Sequence, residues 1–391
     1  MPQIEPESCV LALNCGSSSL KFGLYRIDAS RTELLLAGEA EAIGGDGGRF
    51  HVRDPHGDAR QSEATPIASQ QDAILRIGKL LADTDMPAPD AIGHRIVHGG
   101  PKLRRHCLID DGVLAQLDAA ATFAPLHTPP ALAAIRYAQQ HFPGLPEVAC
   151  FDTTFHADLP DIARVLPIPR KLQSEGIQRY GFHGLSCESI LHQLAPDLPD
   201  RLIIAHLGNG ASITAVKAGQ SIDTSMGLTP SGGVLMGTRT GELDPGVLIY
   251  LMREKRLDAA QLEDLIDHHS GLLGISGVSS DLRRLHDAAS TNADARLAIE
   301  MFCYSVRKEI AAMISALGGI DLIVFTGGIG ENDAKVRAAI CRGLSFAGIS
   351  ADDAEHRSAA SRGSVCVLPA QEEEQIARHA WGLTSGVRFG S

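Results

Sequence analysis

Two arginines stand where a positive charge needs an explanation. Arg95 interrupts an otherwise apolar run in Gly93–Gly100, GHRIVHGG, with His94 and His98 on either side. A guanidinium in such a strand requires an anion to pair with, either a ligand or a structural carboxylate. Arg239 is the single arginine of Asp223–Gly246, DTSMGLTPSGGVLMGTRTGELDPG. That stretch is dense in glycine and lacks periodicity, so it reads as a long loop; such loops inside compact domains are usually functional, a mobile surface loop being the plainer alternative. Arg239 suits covering a transferring phosphoryl group, whose charge spreads over three equatorial oxygens. A third group comprises His127, Asp152 and His183, each beside Gly, Pro, Leu or Phe. Asp152 follows Phe151 at a strand's carboxyl end, where open α/β sheets place catalytic groups. In RYGFHGLS, His183 sits on a loop that presents a side chain into a cleft, although any one of these histidines has an equally good structural reading. No histidine pair comes with zinc-site spacing and a third ligand, and His268-His269 reads as a helix end.

Four segments point to phosphate. Val10–Tyr25, VLALNCGSSSLKFGLY, and Leu202–Val216, LIIAHLGNGASITAV, share one plan: an apolar strand, a polar residue at its end, a turn of Gly and small residues, and a second strand. Asn14 aligns with His206 and Gly16 with Gly208; one extra residue in the second copy then matches Ser19-Leu20 to Ser212-Ile213. Without Cβ bulk at the bend, backbone N–H groups approach an anion closely. In the first copy Ser17, Ser18, Ser19 and Lys21 add hydroxyl and ammonium donors, although the spacing is not that of a P-loop and an ordinary hairpin turn is the competing account. Phe325–Asn332, FTGGIGEN, reads as a strand ending in a Gly turn that opens a helix, an arrangement that favours a nucleotide. Glu372-Glu373-Glu374 open the last helix; carboxylates suit a helix N-terminus in any case, and one of them could instead reach a bound Mg²⁺. Two Gly hairpins half a chain apart suggest two related domains facing each other across one ligand.

The elements that must position these residues follow from the periodicity. Val10–Leu13, Phe22–Tyr25 and Glu33–Leu36 read as antiparallel strands, Ser69–Leu81 as a helix, and Ala91–Val97 and Glu147–Phe151 as buried strands. Thr128 with Pro129 predicts a helix start, hydroxyl N-cap then Pro, running to Gln140. Past Asp152 the pattern begins again with strands Leu202–Leu207 and Ser212–Val216. Helices follow at Gly246–Arg253 and Ala259–His268, and a long core helix at Ala293–Leu317, whose apolar stripe runs from Ile299 through Phe302, Val306, Ile310 and Met313. Leu322–Phe325 is a strand, a helix follows from Asn332, Val365–Leu368 is a strand, and a last helix spans about Glu372 to Trp381. Strands first and helices after, twice over, imply a mixed sheet in each half.

Composition bounds the rest. The 391 residues, 44% hydrophobic and 21% charged, suffice for two packed domains. A net charge of −12 argues against a general nucleic-acid binder. No apolar run reaches membrane-span length and the N-terminus lacks the pattern of a secretion signal. Eight scattered cysteines without a CxxC pair read as reduced thiols of a cytoplasmic protein.

Taken together, NCGSSSLKFGLY, GHRIVHGG, APLHTPP, FDTTFH, RYGFHGLS, AHLGNGAS, DTSMGLTPSGGVLMGTRTGELDPG and FTGGIGEN resemble the acetate kinase family in order and spacing over nearly the whole chain. The resemblance implies an α/β fold of two duplicated ribonuclease-H-like, actin-like ATPase domains with mixed sheets flanked by helices. It implies boundaries at 1–151, completed by about 372–391, and 152–371. It further implies a homodimer that moves the γ-phosphoryl of ATP to acetate, reversibly giving acetyl phosphate and ADP, with Mg²⁺ (Mn²⁺ as substitute). Carried over by motif, Asn14 and Glu372 hold the metal, and Ser17, Ser19 and Lys21 lie near the phosphates. Arg95 and Arg239 clamp the carboxylate and phosphoryl groups, His183 stabilises transition-state charge, and Asp152 orients the acyl substrate beside His127. His206, Leu207, Gly208, Asn209 and Gly210 contact the nucleotide, as do Gly328, Ile329, Gly330, Glu331 and Asn332, with Asp281, Leu282 and Arg283 near the adenosine. Val97, Leu126, Phe182 and Pro230 form the methyl pocket. Cys15 departs from the family's usual small residue, and AQEEEQIAR from its usual tail, which leaves the register of Glu372 against Glu373 open. A carboxylate is already a nucleophile at neutral pH, so direct transfer needs no strong base. A propionate kinase shares most of these motifs, and a nucleotide-dependent binding switch would share only the nucleotide cradle.

Overall fold

Strand β1 (Ser8–Cys15), SCVLALNC, is buried along its whole length, as a strand covered on both faces must be. In the computed structural model, which describes residues 7–16, 18–45, 47–125, 127–350 and 364–385, it lies inside an eight-stranded sheet. The expected site residues Ser17 and Leu126 lie outside the described residues. With β2 (Leu20–Ile27), β3 (Thr32–Glu41), β4 (Arg49–Arg53), β5 (Ala59–Glu63), β6 (Ala91–Ile96), β7 (Cys107–Leu108) and β8 (Glu147–Phe151), the spatial order is β5-β4-β3-β2-β1-β6-β8-β7. A five-stranded sheet follows, β11-β10-β9-β12-β13, from β9 (Arg201–Leu207), β10 (Ala211–Lys217), β11 (Gln220–Thr224), β12 (Leu322–Thr326) and β13 (Val365–Val367). The chain divides into two compact units, Met1–Thr154 with Gln371–Ser391, and Phe155–Ala370, one sheet in each.

Both sheets are mixed, and their central pattern repeats. In the first unit β1, β2 and β3 form an antiparallel meander, and β6 then β8 add in parallel on the other side of β1. In the second, β9, β10 and β11 form the meander and β12 then β13 add in parallel beside β9. The helix Gln70–Ala82 buries Ala73, Ile74, Ile77 and Leu81 in the core of the first unit with Leu11, Leu13, Phe22 and Phe50. Its N-cap is Ser69, which accepts from the Asp72 N–H. Glu372–Thr384 packs on the same sheet, and Gly93 of β6 makes this approach possible: a Cβ there would stand 2.5 Å from Ile376 Cγ2. In the second unit Gly184–Leu194 contributes Cys187, Ile190 and Leu194 to a cluster with Leu202, Ile204 and Val324. The long helix Ala293–Leu317 buries Phe302, Val306, Ile310 and Met313, the stripe read from the sequence.

Three local expectations are corrected. Thr128 is the first residue of the helix Thr128–His141, not its cap; the N-cap is His127, whose side chain makes no capping hydrogen bond. The cap is unnecessary because the preceding turn runs into the helix, with Thr128 N–H donating to the Ala124 carbonyl and Ala131 N–H to His127. The two Gly hairpins do differ by one residue, but the longer is the first. Cys15 pairs with Leu20 across four residues, and Leu207 with Ala211 across three. Lys21 therefore stands opposite Asn14, and Ser212 opposite His206; the pleat, not side-chain likeness, sets the register. Finally, the helix expected from Asn332 is two, Gly327–Asn332 and Ala334–Cys341, with Asp333 capping the second through Val336 N–H. Among the described residues no helix is long and apolar enough to cross a membrane, and all eight cysteines are free thiols.

Candidate functional site

The first unit collects charge at the carboxyl ends of three adjacent parallel strands. Leu13 pairs with His94, which brings Asn14 beside Arg95, and Asp152 follows β8 with its N–H on the Ile96 carbonyl. Arg95 Nε and Nη2 donate to Asp152 Oδ2 at 2.9 and 2.6 Å, and Nη1 donates to Asn14 Oδ1 at 3.1 Å. The Asp152 side chain is 1% exposed and that of Arg95 18%. Burial works against the charge on Arg95, but Asp152, Glu372 and Glu373 hold the guanidinium protonated, above even its ordinary range. Asp152 is thus the carboxylate that the structural-pair account of Arg95 calls for.

The other side of Asn14 faces the last helix. Its Nδ2 donates to Glu372 Oε2 at 3.0 Å and to Glu373 Oε1 at 2.8 Å. Both carboxylates of the uncertain register therefore meet one amide. Burial, and then the neighbouring Glu372 charge, push the Glu373 carboxyl above its usual range, while Lys21 and Asn14 pull the other way. Two neighbouring carboxylates are hard oxygen donors of the kind that Mg²⁺ takes. Asn14 stands beside them with its oxygen turned to Arg95. The turn after Asn14 is closed by Gly16 N–H on the Ser19 carbonyl, 2.8 Å. Gln70 braces it, donating to the Gly16 carbonyl, and its amide oxygen meets the Cys15 thiol at 3.5 Å. Cys15 is buried, and burial raises its pKa to about 12, so it stays a neutral thiol. Val97 is buried, and His127 caps the helix Thr128–His141.

The second unit gathers cationic and ring groups around the Gly208–Gly210 turn. His183 adopts a left-handed backbone, φ 57°, at the start of the helix Gly184–Leu194. Its Nδ1 bonds Ser212 Oγ at 3.0 Å, and its ring stacks on His206 with centroids 4.1 Å apart. His206 Nδ1 bonds Ser186 Oγ at 2.8 Å. A Cβ on residue 210 would lie 3.2 Å from His183 Nε2 and 3.3 Å from Arg239 Nη1. Glycine at 210 leaves room for both tips beside its backbone. Arg239 Nη1 also donates to the Pro230 carbonyl at 3.3 Å. Its long loop has no regular structure but is pinned: Ser270 N–H binds the Thr238 carbonyl, Leu272 N–H that of Met236, and Thr240 N–H that of Ile266.

The remaining expected residues divide. Phe182 is buried, Asn209 lies exposed at the tip of its turn, and Leu207 is in the core, offering only backbone. Asp281 caps the helix Leu282–Ala288 and pairs with the exposed Arg283 at 2.7 Å, while Leu282 is buried. In the FTGGIGEN turn, Gly328 is exposed, Ile329 is half-buried and Gly330 buried. Glu331 turns inward, its Oε1 accepting from the Gly327 and Ala370 N–H groups, both at 3.0 Å. Asn332 Nδ2 donates to the Gly328 carbonyl. Sequence reasoning kept Glu373 only as the alternative to Glu372, gave Ser212 no role beyond its hairpin, and passed over His156. The acidic triplet, the GNGAS turn and FDTTFH were visible, but which member of each faces the site depends on packing.

Residues 9–378 match the model of the Acetokinase family. The chain belongs to that family. A curated relative, the acetate kinase of Rhodopseudomonas palustris, is 40% identical to this chain, covering 97% of the chain and 99% of the relative. Among solved structures, Porphyromonas gingivalis acetate kinase superposes with a TM-score of 0.82 at 36% identity, covering 96% of this chain and 99% of that one. A propionate kinase from Francisella tularensis reaches 0.87 at 36% identity, over 96% and 100%. The expected fold class, two mixed sheets flanked by helices, agrees with these neighbours.

Proposed function

We propose that this protein transfers the γ-phosphoryl group of ATP to acetate, reversibly and in line, giving acetyl phosphate and ADP. The observation that carries the reading is the meeting of His183 Nε2 and Arg239 Nη1 over Gly210. Two side-chain nitrogens beside backbone without a side chain are suited to an anion, His183 Nε2 carrying its hydrogen when Nδ1 accepts from the Ser212 hydroxyl. What must be overcome is repulsion between two anions, because acetate is ionised and nucleophilic at neutral pH. Arg95, held in place by Asp152 and Asn14, binds the carboxylate and fixes its attacking oxygen. Arg239 and His183 stabilise charge on the transferred group. Glu372 and Glu373, with Asn14 beside them, hold Mg²⁺ or Mn²⁺, which when bound neutralises charge on the nucleotide's outer phosphates. We assign Ser17, Ser19, Lys21 and the Gly208–Gly210 turn to the phosphates, Asp281, Arg283 and Gly328–Asn332 to the nucleoside, and Val97, Leu126, Phe182 and Pro230, with His127 nearby, to the acyl group.

Each unit is proposed to be one ribonuclease-H-like copy, on the strength of the repeated strand order. Self-association is supported by the helix Pro245–Glu254, which buries no residue and exposes Val247, Ile249, Tyr250 and Met252. Eight free thiols support a reducing, cytoplasmic setting. Propionate kinase activity is the second reading, favoured by the similarity to the Francisella tularensis enzyme. A hydroxamate assay with ATP, Mg²⁺ and C2 to C4 acids tests both. Acetyl hydroxamate should be the main product, with a smaller propionyl signal; no product from any acid would refute the kinase reading.

A further inference from the structure

His156 has no assigned part in the reaction, yet its ring is placed against the backbone that carries His183. It is 2% exposed. Its Nε2 lies 3.0 Å from the Phe182 carbonyl oxygen and its Nδ1 2.8 Å from Ser221 Oγ. A carbonyl only accepts, so Nε2 carries the hydrogen and Nδ1 accepts from the Ser221 hydroxyl. Burial holds the ring's pKa down at about 4, which keeps this neutral tautomer in place at working pH. The same ring lies against Gly181, which has φ +75°; a Cβ there would stand 2.6 Å from His156 Cδ2. Two residues on, His183 takes φ 57° and ψ 29°, a left-handed conformation that a non-glycine residue keeps only when its surroundings enforce it.

We propose that His156 is a positioning residue: its Nε2–H, donated to the Phe182 carbonyl, fixes the Gly181–His183 corner and thereby aims the His183 ring at Ser212 and Gly210. The inference rests on the reading of His183 as a group that acts on the transferred phosphoryl. His156→Phe keeps the ring's bulk without the donor, and His156→Gln keeps an amide N–H near the position of Nε2. His156→Phe should lower kcat about tenfold or more with KM for ATP within about twofold, and His156→Gln should recover most of the loss. In protein labelled with ¹⁵N-histidine, the His183 imidazole signals, assigned with His183→Asn, should move in His156→Phe and return in His156→Gln. Ser221→Ala, which frees the Nδ1 side, should act in the same direction by about threefold and stands in if His156→Phe does not fold. Equal losses in the Phe and Gln variants, or unmoved His183 signals in His156→Phe, overturn the inference. Full activity of His183→Asn would refute the catalytic reading of His183 instead, and the signal shift would still decide whether His156 sets the corner.

Discussion

At the carboxyl end of its first strand one unit places Asn14 and the other His206. On the neighbouring parallel strand Arg95 occupies the position that Thr326 occupies in the second sheet, and beyond the next strand Asp152 corresponds to Ala370. Opposite the first pair stand Lys21 and Ser212. One strand order thus carries two chemistries. At these positions the first unit sets Arg95 against Asp152 in an ion pair of 2.6 Å and Lys21 opposite Asn14. The second has Thr326, Ala370 and Ser212 there with His206, and brings Arg239 in on a pinned loop and His183 on a left-handed corner. The lesson is that the sheet supplies addresses rather than functions. A strand end beside a second parallel strand end is a ready place for a polar group, and which group sits there decides what the unit can bind.

The contrast can be broken first at Arg239. Arg239→Ala should lower kcat by about 10²–10³-fold, with KM for ATP and thermal stability little changed, because the contact matters mainly in the transition state. Steady-state kinetics decide it: an unchanged kcat with weakened substrate binding would remove Arg239 from that role. The matching change in the first unit, Arg95→Ala, should cost both activity and stability. It strands the buried Asp152 carboxylate, a loss of about 3–5 kcal/mol that urea unfolding would register. Equal stability of the two variants would erase the distinction between a charge network and a docked cation.

A finer probe is Val97→Ala. Enlarging the methyl end should raise the propionate-to-acetate ratio of kcat/KM about tenfold, as one methylene commonly does in an apolar pocket. No change in that ratio would take Val97 out of the substrate's surroundings. The smallest effect should come from Glu373→Gln, read as melting temperature in metal-free buffer. The Glu373 carboxyl has a raised pKa in the folded chain, from burial and then Glu372. Its contribution to stability is therefore full below the ordinary carboxyl pKa and is lost as pH rises through the folded value. The variant should match the wild type near pH 4 and melt a few degrees higher near pH 8, with Mg²⁺ narrowing the gap. A difference independent of pH would show that Glu373 is not strained by its own charge.

Much of this was legible without coordinates. The apolar runs and helix stripes located the central strands of both sheets and the longest helices, with Ala259–His268 and Ala293–Leu317 needing no adjustment, but they missed the short helices and the outer strands, Gly184–Leu194 and Gln220–Thr224 among them. The arginines were conspicuous because apolar or Gly-rich sequence offers them no local partner. The errors share a cause. Thr128 looked like a cap because caps are read locally, whereas the preceding turn already satisfied that helix. The hairpins were aligned by side-chain likeness, whereas strand pairing obeys loop length and pleat. Glu372 could not be separated from Glu373 along the chain, and both turn out to face Asn14.

Sequence alone determined the family, the repeated strand hairpin and the identity of the charged groups, since these follow from residue type, spacing and periodicity. Only the tertiary structure decided who faces whom: Asp152 on Arg95, Asn14 between an arginine and two glutamates, His156 on the Phe182 carbonyl, and the tips of His183 and Arg239 beside Gly210. Those contacts join residues tens to hundreds of positions apart, where no local pattern reaches. They form because adjacent parallel strands end at the same level and because glycine lets helix or side chain come close.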